Sequence, residues 1–114
     1  MLIVDDNADA GELLEYALKA HGFQTVLTQS PHEALELALE RSPCVAVLDI
    51  GLPEMDGVEL AKRLRVDHPN MTMLALTGYG QQADRVRTRE AGFAEHLVKP
   101  VDIGALVVLL DALT

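Results

Sequence analysis

Five short apolar runs alternate with five segments of helical spacing along the chain. The runs cover residues 2–4, 23–27, 45–48, 71–76 and 94–98. They are rich in Val, Leu and Ile and lack strict in–out alternation, which predicts strands buried on both faces. The segments between them carry apolar stripes: Leu13, Leu14, Ala17 and Leu18; Leu35, Ala38 and Leu39; Val58, Leu60, Ala61 and Leu64. Such spacing predicts amphipathic helices, and a fifth helix is expected over residues 105–113.

The punctuation agrees with this division. Ser30-Pro31-His32-Glu33 reads as a capping box with proline at the first helical position, and it opens the second helix. Asp56 followed by Glu59 opens the third in a similar way. Ala20-His21-Gly22-Phe23 and Glu90-Ala91-Gly92-Phe93 echo each other. In each, a glycine able to adopt positive φ ends a helix and an apolar residue starts the next strand. Repeated β-α alternation implies a parallel sheet with right-handed crossovers and helices on both faces. A single α/β domain over residues 1–114 follows. Ligands of such sheets bind outside the carboxyl ends of the strands, so those ends are where chemistry is sought.

Composition narrows the class. With 114 residues, 49% apolar and 24% charged, the chain has room for one core and the make-up of a globular domain. No apolar run approaches the roughly 20 residues that span a bilayer. The opening residues are acidic where a signal peptide would be basic, so a cytoplasmic protein without membrane association is expected. Cys44, at the head of the third apolar run, is expected in the core. The net charge of −9 argues against nonspecific nucleic-acid binding. All of that excess lies in residues 1–57, which hold 11 acidic and 2 basic side chains, whereas residues 58–114 hold 7 of each.

Some of those carboxylates stand at strand ends. The first strand ends in Asp5-Asp6, the third in Asp49, the fourth in Thr77 and the fifth in Lys99-Pro100. Three clustered carboxylates resist ionising together unless a cation offsets them. A hard divalent cation such as Mg2+ does so with oxygen ligands, and with Lys99 the site would be close to neutral. An acyl phosphate on Asp49 would add about one negative charge near neutral pH. Lys99 and the metal would face it, and Thr77 would donate a hydrogen bond. That arrangement suits phosphoryl transfer, where positioning and charge neutralisation supply most of the catalysis. Taken singly, Asp5 reads as a helix cap, Thr77 as a strand residue and Lys99 as a surface cation; five such residues at one edge are hard to ascribe to chance.

Four stretches carry a resemblance: Ile3-Val4-Asp5-Asp6-Asn7, Leu48-Asp49-Ile50-Gly51-Leu52-Pro53-Glu54-Met55-Asp56-Gly57, Ala75-Leu76-Thr77-Gly78 and Leu97-Val98-Lys99-Pro100. Over essentially its whole length the chain resembles the receiver domains of bacterial response regulators and hybrid histidine kinases. The resemblance implies a flavodoxin-like (βα)5 fold of strand order 2-1-3-4-5. It implies a two-component phosphoacceptor that takes its phosphoryl group from a histidine kinase or a phosphotransfer protein onto Asp49. Asp6 and Asp49 resemble direct metal ligands, Asp5 a ligand acting through water, and the Gly51 carbonyl a main-chain ligand. Thr77 resembles the switch hydroxyl and Lys99 the phosphoryl partner, and the Lys99–Pro100 bond is expected to be cis. Gly78 would leave the phosphoryl group accessible, and Gly51 and Tyr79 fall where the family tunes phosphoryl lifetime. A single-domain regulator or a segment of a larger protein both fit; the stretches around Thr77 and Lys99 look most like receivers attached to hybrid kinases, which leans the expectation toward an excised domain.

One position departs. The family's switch aromatic, three residues before the lysine, is His96 here. A solvent-facing histidine that no longer acts as a lever is the plainer expectation, and weakened or pH-sensitive coupling is the sharper one. Arg85 and Arg89 share a face of the fourth helix, in the fourth-helix, fifth-strand and fifth-helix surface that receivers use for output. Two other functions remain to be weighed. A degenerate receiver would act as an interaction scaffold. A small Mg2+-dependent phosphatase would require D-x-D after the first strand, where this chain has Asp5-Asp6-Asn7. The expected module is therefore a signalling phosphoacceptor that catalyses its own phosphorylation and dephosphorylation, and not an enzyme acting on other substrates.

Overall fold

The computed structural model describes residues 1–50, 57–77, 85–99 and 101–113, with the side chains of 85–87 excepted. Within them the elements run β1 (Leu2–Val4), α1 (Ala8–Ala20), β2 (Val26–Thr28), α2 (Pro31–Arg41) and β3 (Val45–Asp49), followed by α3 (Gly57–Asp67), β4 (Thr72–Thr77), α4 (Arg85–Ala91), β5 (Phe93–Val98) and α5 (Ile103–Leu113). The strands form one parallel sheet in the order β2-β1-β3-β4-β5. This is the expected flavodoxin-like arrangement.

Strand alternation splits the core into two layers. Leu2, Val4, Ala46, Leu48, Met73 and Ala75 face α2, α3 and α4, where they meet Ala34, Ala38, Leu60, Leu64 and Ala91. Ile3, Val45, Val47, Leu74 and Leu76 face the other way, onto Leu14 and Leu18 of α1 and Leu106 and Leu110 of α5. Every residue of β3 is buried, so the strand that carries Asp49 is gripped from both sides.

Local chemistry ends the helices as expected, and in one case differently. Ser30 Oγ accepts the Glu33 N–H at 3.3 Å, and Pro31 follows it. The N–H of Ser30 is taken by Thr28 Oγ1 at 3.1 Å. Gly22 and Gly92 have φ of +91° and +102°, and the amides of Gly22 and Phe23 close α1 on the carbonyls of Lys19 and Leu18. The left-handed residue after α2 is Ser42, with φ 46°, where sequence offered no glycine. Asp56 lies outside the described residues.

Several expectations require correction. Phe23 does not open β2, because its amide is spent on Leu18 at the end of α1. The strand starts at Val26, whose N–H meets the Met1 carbonyl. Leu13 and Leu39 are 72% and 65% exposed; each is next to the buried stripe and rotated off it. α5 begins at Ile103, two residues early, because Asp102 Oδ1 caps the Ala105 N–H at 3.2 Å. Cys44 is exposed. Its carbonyl joins the ladder by accepting the Thr72 N–H, but its side chain stands in solvent ahead of β3. β5 is not buried on both faces either: it is an edge strand of the sheet, with Ala94, Glu95 and Val98 exposed.

Candidate functional site

The carboxyl ends of β1, β3, β4 and β5 bring Asp5, Asp6, Asp49, Thr77 and Lys99 to one edge. Asp5 is 1% and Asp49 6% exposed. Burying two carboxylates is costly unless each has a partner, and Lys99 supplies it. Its Nζ lies 3.0 Å from Asp5 Oδ2 and 3.0 Å from Asp49 Oδ2, and donates as well to Asp5 Oδ1 at 3.2 Å. The backbone sets this reach: the Lys99 N–H donates to the Thr77 carbonyl at 2.8 Å, which continues the β4–β5 ladder to the lysine.

Asp5 is no helix cap. Asn7 is the N-cap of α1, accepting the Ala10 N–H at 3.1 Å, while Asp5 Oδ1 accepts the Asn7 N–H at 3.0 Å. This turn carries the chain from β1 into α1 past Asp6, which stays exposed at the mouth of the site. A glycine on the far side acts in the same way on Asp49. At Gly57, the first residue of α3, a Cβ would fall 2.5 Å from the Asp49 carbonyl oxygen and 2.6 Å from Ile50 Cα. Only glycine lets α3 start this close to the strand that presents Asp49. Sequence reasoning quoted Gly57 within a matching stretch without assigning it that task.

The charges act on one another. Partial desolvation first, then the hydrogen bond and charge of Asp49 and the charge of Asp5, push the Asp6 carboxyl above the ordinary aspartate range against the pull of Lys99. Burial works to lower the Lys99 ammonium, but its bonds to Asp49 and Asp5 and their charges outweigh this and raise it. Oxygens from Asp5, Asp6 and Asp49 all lie within 4.8 Å of one another. Hard oxygen donors packed so closely, with a carboxyl that resists ionising among them, fit a hard divalent cation; the cluster is typical of the Mg2+ site of receivers.

Thr77 is buried, and its hydroxyl donates to the Leu97 carbonyl at 3.4 Å, which turns it toward β5. His96 is not fully solvent-facing: it is half-buried, and its Nε2 lies 2.6 Å from Oγ1 of Thr88 on α4. Thr88, 1% exposed, was missed by sequence reasoning, because a threonine in a short helix carries no signal of its partner. Arg89 is exposed. Gly51, Gly78, Tyr79, Pro100 and the side chain of Arg85 lie outside the described residues.

The response regulator receiver domain matches residues 1–111. The chain is 37% identical over 113 residues to an uncharacterized 14.6 kDa protein of Leptolyngbya boryana, covering 97% of this chain and 86% of that protein. It is 35% identical over 113 residues to the transcriptional regulatory protein SrrA of Staphylococcus aureus, covering 99% of this chain and 46% of SrrA; it thus spans about half of that relative. Among solved structures, a putative response regulator from Chloroflexus aurantiacus superposes with a TM-score of 0.90 at 32% identity, over 98% of this chain and 93% of the other. The chemotaxis protein CheY4 of Vibrio cholerae shares the fold at a TM-score of 0.90 and 23% identity, over 99% and 96% of the two chains. The chain belongs to the response regulator receiver domain family. Its class is that of a two-component signalling phosphoacceptor module, whose kind of partner is a histidine kinase. No helix among the described residues is long and apolar enough to cross a membrane.

Proposed function

We propose that Asp49 is the phosphoacceptor, and that a histidine kinase or phosphotransfer protein in the cytoplasm is its donor. The observation that carries this is the 3.0 Å contact of the Lys99 ammonium with Oδ2 of the buried Asp49, whose carboxylate also belongs to the acidic cluster. An Asp49 carboxylate oxygen attacks phosphorus; the P–N bond to the donor imidazole breaks, and its electron pair stays on the imidazole, which is protonated as it leaves. Lys99 already faces that carboxylate and offsets charge that grows on the phosphoryl oxygens.

Asp6 and Asp49 are the side chains we assign to direct contact with Mg2+, with the Gly51 carbonyl as a main-chain ligand. Asp5 already receives Lys99 and the Asn7 N–H, which favours action through water. Bound there, the cation would neutralise phosphoryl oxygens. Thr77 would leave the Leu97 carbonyl to donate to the new phosphoryl group, and His96 occupies the lever position. Gly51 and Tyr79 are assigned to phosphoryl lifetime. The likeness of the Thr77 and Lys99 stretches to hybrid-kinase receivers supports attachment to such a kinase. The α4–β5–α5 face is assigned to output.

Treatment with acetyl phosphate, or with beryllofluoride, in Mg2+ tests the reading. Stoichiometric labelling that Asp49→Asn abolishes is the expected result. No labelling of the wild type would leave a scaffold, and many turnovers of a phosphomonoester would indicate a phosphatase.

A further inference from the structure

α4 is described over Arg85–Ala91. In proteins most helical stability comes from packing of one face rather than from propensity, so its buried contacts matter. Among its residues with described side chains, Thr88 and Ala91 are buried, three apart and hence on one face. Ala91 brings a methyl group to the core beside Phe93. Thr88 brings a hydroxyl, and a buried hydroxyl requires a partner; His96 of β5 provides it at 2.6 Å.

His96 stands in a row of residues on β5 and just beyond it, each tied to a different element. Leu97 accepts the Thr77 hydroxyl, and Lys99 holds Asp5 and Asp49. A path from Asp49 to α4 therefore runs through Lys99, whose N–H donates to the Thr77 carbonyl, then through the Thr77 hydroxyl to the Leu97 carbonyl and the neighbouring His96, which meets Thr88. A threonine hydroxyl carries one donor and two acceptor lone pairs, so it can pair with either tautomer of the ring.

We infer that Thr88 is a positioning residue for the phosphorylation switch: acting through His96, it latches α4 to β5 in the unphosphorylated arrangement. This rests on Asp49 being the phosphoacceptor. When Thr77 withdraws from the Leu97 carbonyl toward the phosphoryl group, movement of the adjacent ring has to break the Thr88–His96 bond. The bond thus opposes the activated arrangement, and losing it favours that arrangement.

The test compares Thr88→Val, which keeps the shape and removes the hydroxyl, with Thr88→Ser, which keeps the hydroxyl. Three readouts are taken: beryllofluoride affinity in Mg2+, the rate of labelling by acetyl phosphate, and hydrogen exchange of the α4 amides. Thr88→Val is expected to raise affinity and labelling rate about fivefold, the factor expected from one net hydrogen bond, and to speed α4 exchange. Thr88→Ser is expected to restore all three. A purely structural role would lower thermal stability and leave beryllofluoride affinity unchanged, which would overturn the proposal. So would failure of serine to restore wild-type behaviour. Should Thr88→Val not fold, His96→Ala removes the other partner and is expected to produce the same shifts. A wild type that takes up neither reagent refutes the phosphoacceptor reading, whereas α4 exchange still decides whether Thr88 tethers the helix; unchanged exchange refutes the latch itself.

Discussion

β3 and β5 deliver opposite ends of the same ion pair and are held in opposite ways. β3 lies between β1 and β4, all five of its residues are buried, and it ends in Asp49. β5 stands at the edge, exposes Ala94, Glu95 and Val98, and pairs with β4 across a register shift near Met73 and Leu74. The carboxylate is thus fixed by a core, while the ammonium that answers it hangs from a strand with little burial to lose. Elements that move in a switch come from the less stable parts of a fold. On the proposed reading, the division between β3 and β5 puts the chemistry on the first kind of strand and the response on the second.

The largest expected effect tests this contrast directly. Leu48→Ala in β3, fully buried, should cost about 2–5 kcal/mol, whereas Val98→Ala in β5, 52% exposed, should stay within about 0.5 kcal/mol. Urea unfolding of both variants measures this, and equal losses would erase the contrast.

Next is Gly57→Ala. Its Cβ would meet the Asp49 carbonyl oxygen and Ile50 Cα, which are backbone and cannot swing aside. A loss of about 1–3 kcal/mol is expected, together with slower labelling of Asp49 in acetyl phosphate. Wild-type labelling would mean that the end of β3 is less rigid than its burial implies.

Lys99→Met removes the ammonium on the β5 side and leaves Asp5 and Asp49 facing each other. Because Lys99 is partly exposed, the loss is screened, to on the order of 1 kcal/mol at neutral pH. Thermal melts should show that Mg2+ recovers more stability in this variant than in the wild type. Lys99 has a raised pKa, so in the wild type its contribution is present below the ordinary lysine value and is lost as pH rises through the folded one.

The smallest effect concerns Asp6, whose pKa is also raised. Below the ordinary aspartate value both states are protonated and nothing is gained. As pH climbs through the raised folded value, the native state retains the proton longer, so metal-free stability falls. Asp6→Asn should flatten that acidic slope and melt slightly higher than wild type at pH 7 in chelator. A slope unchanged by the substitution would shift the cause to another carboxyl.

The same contrast explains what could be read from the residues alone. Leu2–Val4, the core of β3 and the Val58–Leu64 stripe are legible because burial on a face leaves an apolar period. Leu13 and Leu39 mislead because leucine also occurs on exposed helix faces, and Cys44 because a run's first residue can overhang its sheet. Ser42 in a left-handed conformation is invisible where a glycine was the signal sought. Asp5, Asp49 and Lys99 were legible as strand-end charges, since an acid or base at that position has few structural uses. Thr88 was not, because its meaning depends on which ring packs across from it.

Lys99 grips a carboxylate 94 positions earlier in the chain. Closing so long a loop is among the slower steps of a fold built on parallel pairing. During synthesis, Asp49 emerges well before the lysine that answers it. A nascent chain ending after β4 would display three acids without their ammonium and would be a poor recipient for a phosphoryl group. The span of that one ion pair makes it wait on the last strand of the sheet: until β5 docks, Asp5 and Asp49 have no Lys99 to face.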